Sequence, residues 1–88
     1  MQKILKAQGK FAETEIDLEI VLMQIDTGIF YSLSGSARAV WRLLDLHSDK
    51  ASVMAALSKE YDLSEVSSEV EIEEFLISLS EAGMIELV

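Results

Sequence analysis

Two short runs of strand-forming residues, Ile20 to Ile25 and Ile29 to Leu33, flank Asp26-Thr27-Gly28. Each run is too short for a typical helix and rich in β-branched, aromatic or large apolar residues, the pattern of a strand. Asp and Gly between two such runs signal a tight turn, because Gly28 takes a positive φ at little cost. The pair is therefore a β-hairpin. A lone hairpin is marginal in water, so the rest of the chain must cover one of its faces, and the edge left open bears on function.

Lys10 to Ile16 alternates loosely and reads as a strand joined to the hairpin through Asp17 and Leu18, giving a sheet of strands at about 10–16, 19–25 and 29–33. Residues 1–9 are polar and lysine-bearing, an N-terminal segment expected to be loose ahead of a domain over 10–88. Ser34 is placed to cap a helix over Gly35 to Leu46, in which Ala37, Val40, Trp41 and Leu44 share one apolar face. Trp41 reads as a core anchor in preference to a ligand-stacking ring. Ser48 or Asp49 caps a second helix, Lys50 to Tyr61, with Val53, Met54, Leu57 and Tyr61 inward. Ser64 caps a third, Glu65 to Ala82, with Ile72, Phe75, Leu76 and Leu79 inward. Gly83 stands where a left-handed helix terminator belongs, and Met84 to Val88 is an apolar tail suited to packing back on the core as a short extended piece. Strands followed by helices predict an α+β domain, a three-stranded antiparallel sheet followed by three helices (β-β-β-α-α-α) packed on one face of the sheet.

Composition excludes more than it identifies. The chain has 88 residues, no Cys and one His, so disulfides, thiol chemistry and a Cys/His zinc site within one chain are ruled out. His47 lies alone in a polar loop, where a surface or capping role outweighs a general base. No nucleophile elbow, P-loop or dinucleotide fingerprint is present. The acidic run Glu69, Glu71, Glu73, Glu74 lacks the alternating Asp/Asn loop with Gly of a calcium site and reads as a solvated helix face. No catalytic residue, metal or cofactor is expected. With 16 acidic against 7 basic residues, the net charge of −9 repels phosphate backbones. Nucleic acid is thereby disfavoured as a partner and a basic or neutral peptide is easier to accommodate. No apolar run approaches the roughly 20 residues of a membrane span, and residues 1–10 lack a signal-peptide apolar region. A soluble, cytoplasmic protein without membrane contact is expected.

The third helix carries a second stripe, Val70, Glu74, Ile77 and Glu81. It is either the wide flank of an amphipathic helix meeting a neighbour or one wall of a groove for a guest chain. In a three-stranded meander the middle strand is satisfied on both sides, while the strand at 29–33 keeps one open edge. Beside the last helix that edge makes a cleft in which an extended peptide could pair as a further strand. Exposed carboxylates would each add only about 0.2–1 kcal/mol, enough to orient a guest but not to hold it. An open edge also invites self-pairing, so a homodimer is kept open.

The ordered set Leu22-Met23-Gln24-Ile25-Asp26-Thr27-Gly28-Ile29-Phe30-Tyr31-Ser32-Leu33-Ser34, then Ala37, Val40-Trp41, Leu44, Leu57, Tyr61, Leu79 and Gly83, resembles the PqqD-like family. Its pattern is an apolar strand, Asp-x-x-Gly, two aromatics, x-Leu-Asn and a helix with an Ile/Val-Trp pair. The resemblance covers about residues 11 to 87; Ser34 departs from the family's Asn, though both can cap. It implies a winged helix-turn-helix-like domain, the recognition element of systems making ribosomally synthesised and post-translationally modified peptides (RiPPs). Such domains bind the leader of a precursor peptide and present it to a separate modifying enzyme: a radical SAM enzyme or, in lasso peptide systems, a leader peptidase and cyclase. Carried over by position, the peptide groove comprises Ile29, Phe30, Tyr31, Ser32 and Leu33 from the strand and Val70, Glu73, Glu74, Ile77 and Glu81 from the helix. Alternation lets only some of these face a guest, and Tyr31 and Leu33 fit the core equally well.

Two other classes compete with this non-enzymatic reading. A winged-helix DNA-binding regulator would use the third helix for reading, but its glutamates have the wrong sign. An acidic carrier protein needs a Ser at a helix start in an Asp-Ser-Leu setting, which the chain lacks.

Overall fold

The computed structural model describes residues 3–60 and 68–88. In chain order the elements are β1 (Ile4–Lys6), β2 (Phe11–Ile16), β3 (Glu19–Gln24), β4 (Phe30–Leu33), α1 (Gly35–Leu43), α2 (Lys50–Glu60), α3 (Ser68–Glu81) and β5 (Ile85–Leu87). The α+β class and the antiparallel meander β2-β3-β4 are as expected. The bare order β-β-β-α-α-α is corrected: β1 and β5 pair with each other as a second, two-stranded antiparallel sheet.

β1 arises within the segment expected to be loose. Ile4 is 4% exposed and Ile85 2%, while Leu5 and Glu86 point outward, the period of a half-buried strand. Lys6, which sequence alone assigns to solvent, lays its Nζ 4.1 Å from the Trp41 ring centroid and 2.8 Å from an Asp45 carboxylate oxygen. Its ammonium sits over the ring face and is paired with the carboxylate at the same time. The apolar tail supplies β5, and Met84 just before it is fully buried.

α1 crosses the sheet on the face of Ile20 and Leu22. The register pairs Glu13 with Leu22 and Glu15 with Ile20, so both carboxylates of β2 point toward α1. There Glu13 accepts the Trp41 indole N–H at 3.0 Å, and Glu15 is paired with Arg38 and Arg42. Trp41 itself is fully buried and stands edge-on to Phe11, centroids 5.1 Å apart. It is the core anchor. Ile20, Leu22, Val53, Leu57, Ile72, Leu76, Leu79 and Met84 complete one core shared by sheet and helices.

Helix ends differ from expectation in detail. Ser34 occupies the N-cap of α1 in extended backbone, but its hydroxyl makes no capping bond. α1 stops at Leu43, three residues early, in a tightened turn in which Asp45 and Leu46 N–H donate to the Arg42 and Leu43 carbonyls. Asp49, not Ser48, caps α2: its carboxylate accepts the Ser52 N–H at 2.9 Å and hydroxyl at 2.8 Å. The Ser48 carbonyl instead accepts from the Ile4 N–H at 2.6 Å. α3 ends as expected, with Gly83 at φ 76° and the Met84 N–H closing back on the Leu79 carbonyl at 2.9 Å. The expected ends at Tyr61, Ser64 and Glu65 lie outside the described residues.

Candidate functional site

The meander has two outer edges, β2 and β4. Among the described residues neither gains a further strand, because the terminal segments pair with each other. The edges differ in charge. β2 carries Glu13 and Glu15, and edge charges discourage strand addition. β4, Phe-Tyr-Ser-Leu, carries none.

The ladder fixes which backbone groups are free. The Gln24 N–H donates to the Ile29 carbonyl at 2.9 Å, and the register pairs Leu22 with Tyr31 and Ile20 with Leu33. Bonded pairs alternate in an antiparallel ladder, so Tyr31 and Leu33 direct their N–H and C=O at β3. Phe30 and Ser32 direct theirs away from the sheet. Two donors and two acceptors thus line the open edge, spaced as an added strand requires.

Side chains follow the same alternation. Leu33 is 5% exposed and Tyr31 half-buried on the core face. Phe30, 66% exposed, and Ser32 lie on the other face, where the Ser32 hydroxyl donates to Glu19 at 3.2 Å. Ile29, in the turn before the strand, is exposed, its N–H donating to the Thr27 hydroxyl. The five strand residues expected in the groove therefore form one edge with two faces.

The five helix residues divide. At about 100° per residue, Val70, Glu74, Ile77 and Glu81 form one strip opposite buried Ile72, Leu76 and Leu79, and all four are exposed. Glu73 accepts from the Lys50 ammonium at 3.2 Å. With Ile77 it lines a small pocket shared with Ile4, Lys50, Leu76 and Leu87. That flank of α3 thus turns toward the β1–β5 ribbon and the start of α2. The opposite flank presents Phe75, Ser78 and Ala82, with Phe75 and Ala82 half-buried against the same core as Tyr31. Periodicity alone assigns Phe75 wholly to the interior. The signal it offers is its place at the margin of the apolar arc.

The resolved electrostatic perturbations lie elsewhere. A hydrogen bond from Arg38, with the charges of Arg38 and Arg42, holds the Glu15 carboxyl below its ordinary range, and hydrogen bonds from Ser52 do the same for Asp49. Among the described residues no group of His, Cys, Asp and Glu could hold a metal ion, and no helix is long and apolar enough to cross a membrane.

Comparison with known proteins bears on this arrangement. The structure is similar to that of TbiB1 in complex with the TbiA(beta) leader peptide, with a TM-score of 0.80, 24% sequence identity, and coverage of 93% of this chain and 95% of that chain. No curated protein matches the sequence significantly. The family profile described as coenzyme PQQ synthesis protein D (PqqD) matches residues 19–85. The matched span runs from the start of β3 to the start of β5 and takes in the hairpin, the uncharged β4 edge and all three helices; the chain belongs to the PqqD family.

Proposed function

We propose that this protein is a RiPP recognition element, a non-catalytic, winged helix-turn-helix-like domain that binds the leader segment of a precursor peptide as a strand added to β4. The observation that carries the reading is the β4 edge itself: no charge, no partner strand among the described residues, and the backbone groups of Phe30 and Ser32 turned outward. The similar solved structure, TbiB1, holds a leader peptide, which supports the assignment. The leader lies between β4 and α3. Guest residues opposite Phe30 and Ser32 exchange backbone hydrogen bonds with them. Guest side chains between those positions turn inward toward Tyr31 and the flank of α3 bearing Phe75.

Magnitudes divide the work. Four net hydrogen bonds at about 0.5–1.5 kcal/mol each give roughly 2–6 kcal/mol. Micromolar affinity needs about 8 kcal/mol after the cost of association is met. Apolar burial against Tyr31 and Phe75, with Val70 at the rim, supplies the difference. Glu74 and Glu81 orient a cationic guest. The bound leader is then presented to a separate enzyme, a radical SAM enzyme or a lasso-type leader peptidase and cyclase, working in the cytoplasm.

Amide exchange tests this reading. On titration with a precursor leader peptide, the Phe30 and Ser32 amides gain protection. Those of Tyr31 and Leu33 are protected already, and resonances across 70–81 shift. Saturating leader with no change at Phe30 and Ser32 would overturn the assignment.

A further inference from the structure

The sheet has a second face that the leader-binding reading does not use. The register puts Thr14 and Ile16 of β2, Val21 and Met23 of β3, and Phe30 of β4 together on the side away from α1. Ile16 is 56% and Phe30 66% exposed, and Val21 and Met23 are only half-buried. The open face of an antiparallel sheet normally carries polar residues. Here the charged residue on the strands' outer face is Glu19, at one corner, and it accepts a hydrogen bond from Ser32. Aromatic and Met side chains with charge depleted are the composition of an interface core.

We infer that this outer face is the seat of the enzyme that acts on the leader, which contacts it and the docked leader as one continuous four-stranded surface. The inference rests on the proposed leader binding. Two arguments select this occupant. The first is continuity. A guest strand paired to β4 places every second side chain on this same face, directly beside Phe30. The surface therefore grows by one strand when the leader arrives, and a partner seated there senses loading.

The second argument removes a second copy of the chain. Each copy carries −9, so face-to-face pairing brings like charges together. A partner with an apolar contact surface and basic side chains at its rim, facing Asp17, Glu19 and Asp26, fits better. Its affinity for the bare domain is low and rises with the leader in place.

The test uses a purified precursor peptide whose leader this chain binds and the purified enzyme that modifies that precursor. Thr14→Lys and Ile16→Lys lie two strands away from the β4 edge. Both variants keep the wild-type melting temperature and bind leader within about twofold of wild type, while the enzyme's affinity for the leader-loaded complex falls at least tenfold. Leu46→Lys, at a position 78% exposed outside the sheet, changes neither. Unchanged enzyme affinity for both sheet variants would overturn the inference. So would a micromolar dimer of the free protein that Ile16→Lys dissolves, since the face would then belong to a second copy. Failure of the wild-type protein to bind leader at all would instead remove the parent reading, and this inference with it.

Discussion

Ser32→Pro separates the free edge from the fold. The Ser32 N–H points away from β3, so proline there removes no bond of the internal ladder, and an edge strand with its N–H toward solvent is where a sheet tolerates proline. Tyr31, the preceding residue, is already extended, as a residue before proline prefers. The hydroxyl bond to Glu19 is lost, but it joins exposed groups, so the free protein loses under about 1 kcal/mol. A guest strand loses more. One of its four edge bonds disappears, and the ring protrudes where the guest backbone must come within hydrogen-bonding distance, disturbing the neighbouring carbonyl bond. A loss of about 1–3 kcal/mol follows, which is roughly 5- to 150-fold in Kd. Thermal melting and fluorescence-polarisation titration of a labelled leader measure the two effects separately. Tyr31→Pro is the counter-experiment: it deletes an amide that faces β3 and unfolds the sheet. A well-folded Ser32→Pro protein that binds leader like the wild type would refute strand addition at β4.

Two further outcomes test the scaffold. Gly83→Ala costs about 1 kcal/mol in a urea titration, all of it from the backbone at φ 76°, because an added Cβ meets only Gln24 Nε2 at an ordinary 3.8 Å; a much larger loss would mean that the glycine serves close packing. Glu15→Gln lowers the melting temperature at neutral pH, and the gap to wild type closes as the pH falls through and below 4.5. A carboxyl whose folded pKa is depressed adds stability above its unfolded value and loses it as the pH drops through the folded one; a gap that widens in acid would refute the role of the Arg38 and Arg42 pairs.

The meander and the helices were legible because their signals are local. Asp26-Thr27-Gly28 between two apolar runs and the Ile72, Leu76, Leu79 spacing need no tertiary information. What escaped depended on contacts across the chain. Ile4-Leu5-Lys6 is too short to display a period, and its strand exists only because Ile85-Glu86-Leu87 returns to pair with it. Lys6 gave no hint of the Trp41 ring beneath it. At the site, the strand edge could be read from the hairpin, but the turning of Glu73 toward Lys50 could not. That orientation depends on where α2 begins relative to α3, which no periodicity encodes. A helical wheel places Phe75 in the interior because it separates only inside from outside, and Phe75 is half-buried at the margin of the apolar arc.

The ribbon of β1 and β5 brings the two described ends of the chain together, with Lys3 and Val88 exchanging both backbone bonds at 2.7 and 2.8 Å. Polypeptide thus enters and leaves this domain at one place, on strands separate from the β4 margin. A neighbouring domain joined at either end would attach at the same point, leaving that margin free for a visiting chain. A short bridge between the ends, with a new opening cut at the Asp17-Leu18 turn, would preserve the same edge in a rearranged connectivity.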